Sequence, residues 1–414
     1  MNVIRKGTAI LAGLVMLSAG TAGALAEDQP PNWVEWDCKT DRVVSHTDKA
    51  AAYPRAKRVS NGDVLLAYHH GGGLGEYGTW VTMRRSRDGG ATWYATADLE
   101  GPEDGRFWGF SNVDFVELGA GRMLLVTAAR GRAESGRPEF LAECQRSGLR
   151  VRFSDDFGDS WGEPALIARG RGRLWEPCLV RLPDGELQIY FANEAPDLSK
   201  EGRRDQRIEL IRSNDDGATW SEPVEVSQHP KCRNGMPSAV VLPGGRVACA
   251  QEMVGAPLSP WITQIDRNGD LAASQFEAAN EESRVGKPSP RPIRVDEYVA
   301  QRTLGFGAAP FLLKAPDGST LMSLHCGFQK PDAPADATLP WMFSNVWVQR
   351  GTPMARNFGA SSNPWPNLNA HTGAFFASLF LKDKDTLVAL ASFITLDADS
   401  RSRTNVRWIE GRLK

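Results

Sequence analysis

Beyond residue 26 the chain has no apolar run long enough to cross a bilayer, and it has no excess of either charge. Lys and Arg number 48 against 50 Asp and Glu, for a formal net charge of -2. A chain so balanced gives a nucleic-acid backbone or an anionic membrane nothing to hold, so neither is expected as a partner. Cysteine is scarce too: Cys38, Cys144, Cys178, Cys232, Cys249 and Cys326 are all there is. None is spaced C-x-x-C, which argues against zinc and thioredoxin-like sites, and no metal or other cofactor is expected. Cys178 and Cys249 lie in apolar, strand-like contexts and read as buried thiols. Tyrosine is absent after Tyr298.

What is present begins with an address. Arg5 and Lys6 precede an apolar, small-residue run from Thr8 to Ala24, and Ala24-Leu25-Ala26 has the A-x-A form of a cleavage site. Residues 1–26 therefore read as a signal peptide, with the mature protein beginning at Glu27 and destined for the periplasm or the medium. Residues 27–414 read as one domain, expected to act as a monomer.

Within that domain a pattern repeats. A short strand, a turn containing glycine and a second strand recur, with turn glycines at Gly62, Gly121, Gly185, Gly245 and Gly318. A sixth unit starts near Ala374 and turns near Lys384-Asp385. The clearest copy runs from Gly172 to Glu194, with Pro183-Asp184-Gly185 as its turn: Pro fixes φ, and Gly supplies a positive φ. Four short strands recurring at a fixed period define a β-propeller, here all-β and six-bladed. The leading segment and residues 405–413 are the candidates to close the ring. Segments 281–294 and 329–339 read as loops between units.

Three units end in the same motif, Ser-x-Asp-x-Gly-x-Thr/Ser-Trp, at Ser86–Trp93, Ser154–Trp161 and Ser213–Trp220. The aspartate can accept turn N–H groups, the glycine allows positive φ, and the tryptophan covers the turn. These are Asp boxes (BNR repeats) of the sialidase-like kind. Their role is structural, so Asp88, Asp156 and Asp215 are assigned no part in chemistry.

Propeller sites form at one end of the central channel, where the starts of the inner strands converge. That brings Arg55, Asn112, Asp114, Glu176, Arg233 and Asn234 together, with Glu194 and Glu252 at the ends of second strands. Arginines, amides and acids in one cavity suit a hydroxyl-rich oligosaccharide or polysaccharide. Two carboxyl groups on neighbouring blades suit hydrolysis of a glycosidic bond.

Tyr53-Pro54-Arg55-Ala56, Leu174-Trp175-Glu176-Pro177, Tyr190–Ala195, Arg233-Asn234-Gly235-Met236-Pro237 and Gln251-Glu252 resemble successive blocks of glycoside hydrolase family 93. The resemblance implies an exo-α-1,5-L-arabinanase-like enzyme that works with retention, and it places the two catalytic glutamates on Glu176 and Glu252. Asn234 stands where the family often has Asp, and Thr127-Ala128-Ala129-Arg130 where an Arg-Asn-His group is expected. Flanked by Trp175 and Pro177, Glu176 is the expected acid/base. Glu252 is then the nucleophile, kept ionised by Arg233 or Arg55. The alternatives are an exo-α-sialidase, a non-catalytic glycan-binding propeller, and a lyase using His69-His70 as base. The sialidase reading lacks an aspartate between Tyr68 and Ser86 and a suitable late tyrosine.

Overall fold

The computed structural model describes residues 32–45, 50–71, 78–102, 107–131, 147–170, 172–194, 206–228, 233–254, 259–265, 293–294, 307–326, 342–369, 371–396 and 402–414. Six four-stranded antiparallel sheets make up the molecule, a six-bladed β-propeller. Blade 1 holds β2 (Ala50–Arg58), β3 (Val64–Gly71), β4 (Thr79–Ser86) and β5 (Tyr94–Glu100). Blade 2 holds β6 (Phe107–Gly119), β7 (Arg122–Gly131), β8 (Gly148–Ser154) and β9 (Ala165–Arg169). Blade 3 holds β10 (Leu174–Arg181), β11 (Leu187–Asn193), β12 (Arg207–Ser213) and β13 (Val224–Ser227). Blade 4 holds β14 (Arg233–Val241), β15 (Val247–Val254), β16 (Ser259–Ile265) and β17 (Ile293–Arg294). Blade 5 holds β18 (Gly307–Lys314), β19 (Thr320–Cys326), β20 (Asn345–Gly351) and β21 (Ala360–Ser362). Blade 6 holds β22 (Thr372–Leu381), β23 (Thr386–Leu396), β24 (Ser402–Leu413) and, from the other end of the chain, β1 (Val34–Val43).

That last pairing closes the ring. β1 runs antiparallel to β24, from Val34 opposite Leu413 to Val43 opposite Arg407. Arg407 grips Asp41 with two hydrogen bonds of 2.9 and 2.6 Å, and Arg42 donates across to Gly90 O of blade 1. Apolar side chains fill the spaces between blades, as where Leu65 and Met83 of blade 1 meet Phe115 and Leu125 of blade 2. Most of segment 281–294 and all of 329–339, read as loops, lie outside the described residues.

The three Asp boxes are near copies. In each, the aspartate accepts from the serine hydroxyl and from the N–H and hydroxyl of the Thr/Ser, while the tryptophan Nε1 donates to the glycine carbonyl. The glycine is obligatory because each box presses against the preceding blade: a Cβ on Gly90 would strike the Trp408 ring at 2.7 Å. The Thr219 hydroxyl and N–H, with Ser213, hold the Asp215 carboxyl down to about 2. A depressed acid stabilises the fold above its unfolded pKa, and that stability is lost as pH falls through the folded value. Asp215→Asn is therefore expected to lower the melting temperature at pH 6 and to flatten the loss of stability between about pH 4 and 2. A thermal-melt series across pH checks this. An unchanged acid limb would remove Asp215 from the account.

Each innermost strand carries the same irregularity. Register with the second strand slips once in β2, β10, β14, β18 and β22, and at the corresponding place in β6. At each of these slips sits a non-glycine residue in the left-handed region: Tyr53, Asn112, Glu176, Met236, Ala309 and Phe376. A bulge leaves a backbone N–H without its ladder partner, and burial makes that expensive. The preceding blade supplies an acceptor in four cases: Ser392 Oγ for Tyr53, Glu176 Oε2 for Met236, Glu252 Oε2 for Ala309 and His325 Nδ1 for Phe376. The inner strands touch one another in sequence around the axis, so these six bulges form one ring.

Candidate active site

Glu176 occupies the bulge of blade 3 itself, and Glu252 stands on β15 directly opposite Gly235 of β14. Each carboxylate is fixed by one oxygen to a backbone N–H of the next blade: Glu176 Oε2 to Met236 at 2.7 Å, Glu252 Oε2 to Ala309 at 2.9 Å. Gly235 lies between them. A Cβ built on it would stand 3.4 Å from Glu176 Oε2 and 3.5 Å from Glu252 Oε1. The two oxygens are thus no farther apart than those lengths laid end to end. Both glutamates keep a partly exposed edge.

Burial is the main cause that lifts the Glu176 carboxyl to about 7, and the charge of Glu252 adds to it. The Met236 N–H, Arg233 and Arg130 pull the other way. Burial also raises Glu252, opposed by the Ala309 N–H and Arg233. One carboxyl is thereby held protonated near neutrality beside another, the condition for an acid and an anion to coexist at one site.

Arg233 is itself held in place. It donates to Glu194 Oε1 at 2.7 Å and, through two nitrogens, to Gln206 Oε1 at 2.6 and 3.2 Å. Glu194 is buried, so it acts on the site through Arg233. Asn112 lies at the blade 2 bulge, its Oδ1 accepting from Arg130 at 3.1 Å and Ser111 at 3.0 Å.

The remaining sequence candidates are spent inside the protein. Asp114 is buried, with an ion pair to Lys57 at 3.0 Å and a hydrogen bond from Leu179 N at 2.8 Å that ties blade 2 to blade 3. Asn234 is wholly buried and donates to Ser227 on β13. Arg55 stacks over the rings of Tyr53 and Phe311, at 3.9 and 4.9 Å, and donates to Pro54 O. The cation attending the two glutamates is therefore Arg233, with Arg130 beside Glu176.

Several neighbours escaped sequence reasoning. Arg130 is fully buried, stacks 3.5 Å from the Trp175 ring centre and donates to Leu174 O, Ser111 and Asn112. Tyr53 packs with Met236, Ala309 and Phe376, and among the described residues its buried hydroxyl has no hydrogen-bond partner. Two of those neighbours, Met236 and Ala309, are the residues whose N–H groups hold the glutamates. Of the histidine pair, His69 stacks on Tyr53 and is pushed down to about 3, by burial first and then Arg130, while His70 bonds Asp98 at 2.9 Å. Of the pair read as a possible lyase base, His69 is thus kept neutral inside the protein and His70 is engaged with Asp98.

The described cysteines Cys38, Cys178, Cys249 and Cys326 are free thiols. The Cys178 Sγ accepts from Ala239 N at 3.2 Å, another link between blades. Among the described residues no group of three or more His, Cys, Asp or Glu could hold a metal. No described helix is long and apolar enough to cross a membrane.

Residues 146–272 match the model of the BNR repeat-like domain. No curated protein matches the sequence. Among solved structures, a protein of unknown function from Dyadobacter fermentans aligns over 92% of this chain and 100% of its own at 15% identity, with a TM-score of 0.69. The GH93 α-L-arabinofuranosidase of Fusarium graminearum, solved with arabinobiose, aligns over 90% of this chain and 97% of its own at 16% identity and TM-score 0.60. Trypanosoma rangeli sialidase aligns over 87% of this chain and 55% of its own at 12% identity and TM-score 0.57. The fold is that of the sialidase-like propellers with Asp-box repeats, and glycoside hydrolases are among the proteins that share it.

Proposed function

We propose that the protein is an exported, exo-acting glycoside hydrolase that cleaves arabinan-like or related oligosaccharides with retention, through Glu176 and Glu252. The observation that carries this reading is the convergence of the two partly exposed carboxylates on one point at Gly235, one of them raised to about 7. In the first step Glu252 attacks the anomeric carbon as the bond to the leaving oxygen breaks, and Glu176 gives that oxygen its proton. A glycosyl ester on Glu252 results. In the second step Glu176, now ionised, takes a proton from water, whose oxygen displaces Glu252. Arg233 favours the carboxylate form of both. Tyr53, Met236, Ala309 and Phe376 pack together across the ring beside the two glutamates; the exo preference rests on the resemblance.

A panel of arabinan, arabino-oligosaccharides, sialyl-lactose and acidic glycans, with product analysis, tests the reading. Disaccharide or monosaccharide release from arabinan ends, with the anomeric configuration kept, is the expected result. Release of sialic acid would replace it with a sialidase, and binding without turnover on any glycan would leave a glycan-binding propeller. Recovery of a monomeric protein beginning at Glu27 from the periplasm or medium checks the export reading.

The pH dependence has a defined sign. The first step needs Glu176 protonated and Glu252 ionised. Activity is expected to fall as pH rises through about 7 and Glu176 loses its proton, and to fall again on the acid side as Glu252 gains one. A kcat/KM profile measures both limbs. A basic limb unaltered in Glu176→Gln would show that another group carries it.

A further inference from the structure

Gln206 is buried where β12 begins, next to the site and outside every sequence motif. Its carboxamide oxygen accepts from Arg233 Nε at 3.2 Å and from a second Arg233 nitrogen at 2.6 Å. A guanidinium only donates, so the oxygen must face Arg233 and the NH2 must face the other way. That other way is toward the two glutamates: Nε2 lies 3.0 Å from the Cβ position of Gly235, the same point that both carboxylates border. Among the described residues Nε2 has no hydrogen-bond partner. The arrangement is built in layers. Glu194 holds Arg233 at 2.7 Å, Arg233 fixes which end of the amide is which, and the amide offers two donors between two acids.

We infer that Gln206 is a specificity-determining residue that donates to the hydroxyl next to the anomeric carbon of the terminal sugar, an inference that rests on the glycosidase reading above. The position follows from the chemistry. The anomeric carbon must lie between the two carboxylates, and the C2 hydroxyl is its nearest polar neighbour. A bond to that hydroxyl strengthens as the ring gains oxocarbenium character, so the amide acts more on kcat than on KM. A fixed donor also rejects sugars lacking the hydroxyl, because its N–H groups are then left unpaired.

The test uses the full-length mature protein, the glycoside found active in the panel and its 2-deoxy counterpart. Two variants are compared with wild type: Gln206→Glu, which keeps an acceptor for Arg233 but loses both donors, and Gln206→Met, which loses both functions. Wild type is expected to favour the hydroxylated substrate, and both variants are expected to lose about 10- to 100-fold in kcat on it, with little change on the 2-deoxy substrate. If Gln206 only buttressed Arg233, Gln206→Glu would keep both its activity and the full preference for the hydroxyl. That result would overturn the inference and leave the glycosidase reading intact. A wild-type protein inert on every glycan would overturn both. Melting temperatures within a few degrees of wild type show that the variants fold, and a Gln206→Asn variant, whose shorter amide retains donors, serves if either does not.

Discussion

Glu176→Gln is expected to lose nearly all activity and yet, at pH 8, to be more stable than the wild type. The first half follows from removing the proton donor, a change that costs about 10²- to 10⁴-fold in general acid catalysis. The second half follows from linkage. The folded carboxyl sits at about 7 against an ordinary 4.5, so the native state holds its proton more tightly than the unfolded chain. Ionising it within the fold costs free energy, and stability is lost as pH rises from the unfolded value through the folded one. A neutral amide of the same shape avoids that cost, by up to about 3 kcal/mol, while its oxygen can still accept from Met236 N. A residue kept only to satisfy the Met236 N–H would show the second effect without the first. Stability sacrificed at a functional position is the pattern expected of an active site.

Glu252 separates from Glu176 by rescue. If Glu252 is the nucleophile, as proposed, azide filling the gap left in Glu252→Ala should yield a glycosyl azide of inverted configuration. Azide added to Glu176→Ala should instead attack the glycosyl ester from the other face and give a retained product. Both alanine variants are expected to fall about 10³-fold or more without azide. The opposite stereochemistry would exchange the two roles, and full activity in either variant would remove that residue from the mechanism.

The fold was open to reading because its signals are local. A turn glycine such as Gly185 needs positive φ, and an Asp-box glycine such as Gly90 needs room against Trp408; both leave their mark in a few adjacent residues. The two glutamates were reached through the resemblance carried by Leu174–Pro177 and Gln251-Glu252, and through the repeat, which puts equivalent strands at one end of the channel. What local pattern does not carry is depth. Arg55 and Asp114 lie two residues past the bulges of their strands, and Asp114 is consumed by Lys57 and Leu179 N. Asn234 adjoins Arg233, but alternation along a strand turns neighbours to opposite faces, one to Gln206 and Glu194, the other to Ser227. The bulge ring has a faint mark after the fact: Pro54, Pro177, Pro237 and Pro310 follow four of its six residues, at a place where a missing N–H costs no ladder bond. Gln206 and Arg130 carry no such mark, because their placement depends on a neighbouring strand or blade.

On the proposed glycosidase function, Gly235→Ala should abolish activity while leaving the propeller folded. Gly235 is outside the positive-φ region, so alanine brings no backbone strain. Its methyl would lie 3.0 Å from Gln206 Nε2, which must give by a few tenths of an ångström, and 3.4 and 3.5 Å from the two carboxylate oxygens, which is ordinary contact. The melting temperature is therefore expected to change by no more than a few degrees. On the proposed mechanism the methyl nevertheless intrudes between the two carboxylates, where the anomeric carbon is proposed to lie. Displacing the reacting atoms by about 1 Å is enough to cost about 10²-fold, and kcat/KM is expected to fall by at least that much. Isothermal titration with the unreactive product oligosaccharide should show binding weakened in parallel, which loss of an acid alone would not cause. Full activity in Gly235→Ala would place the substrate elsewhere and reduce the meeting of Glu176 and Glu252 to the capping of two bulges.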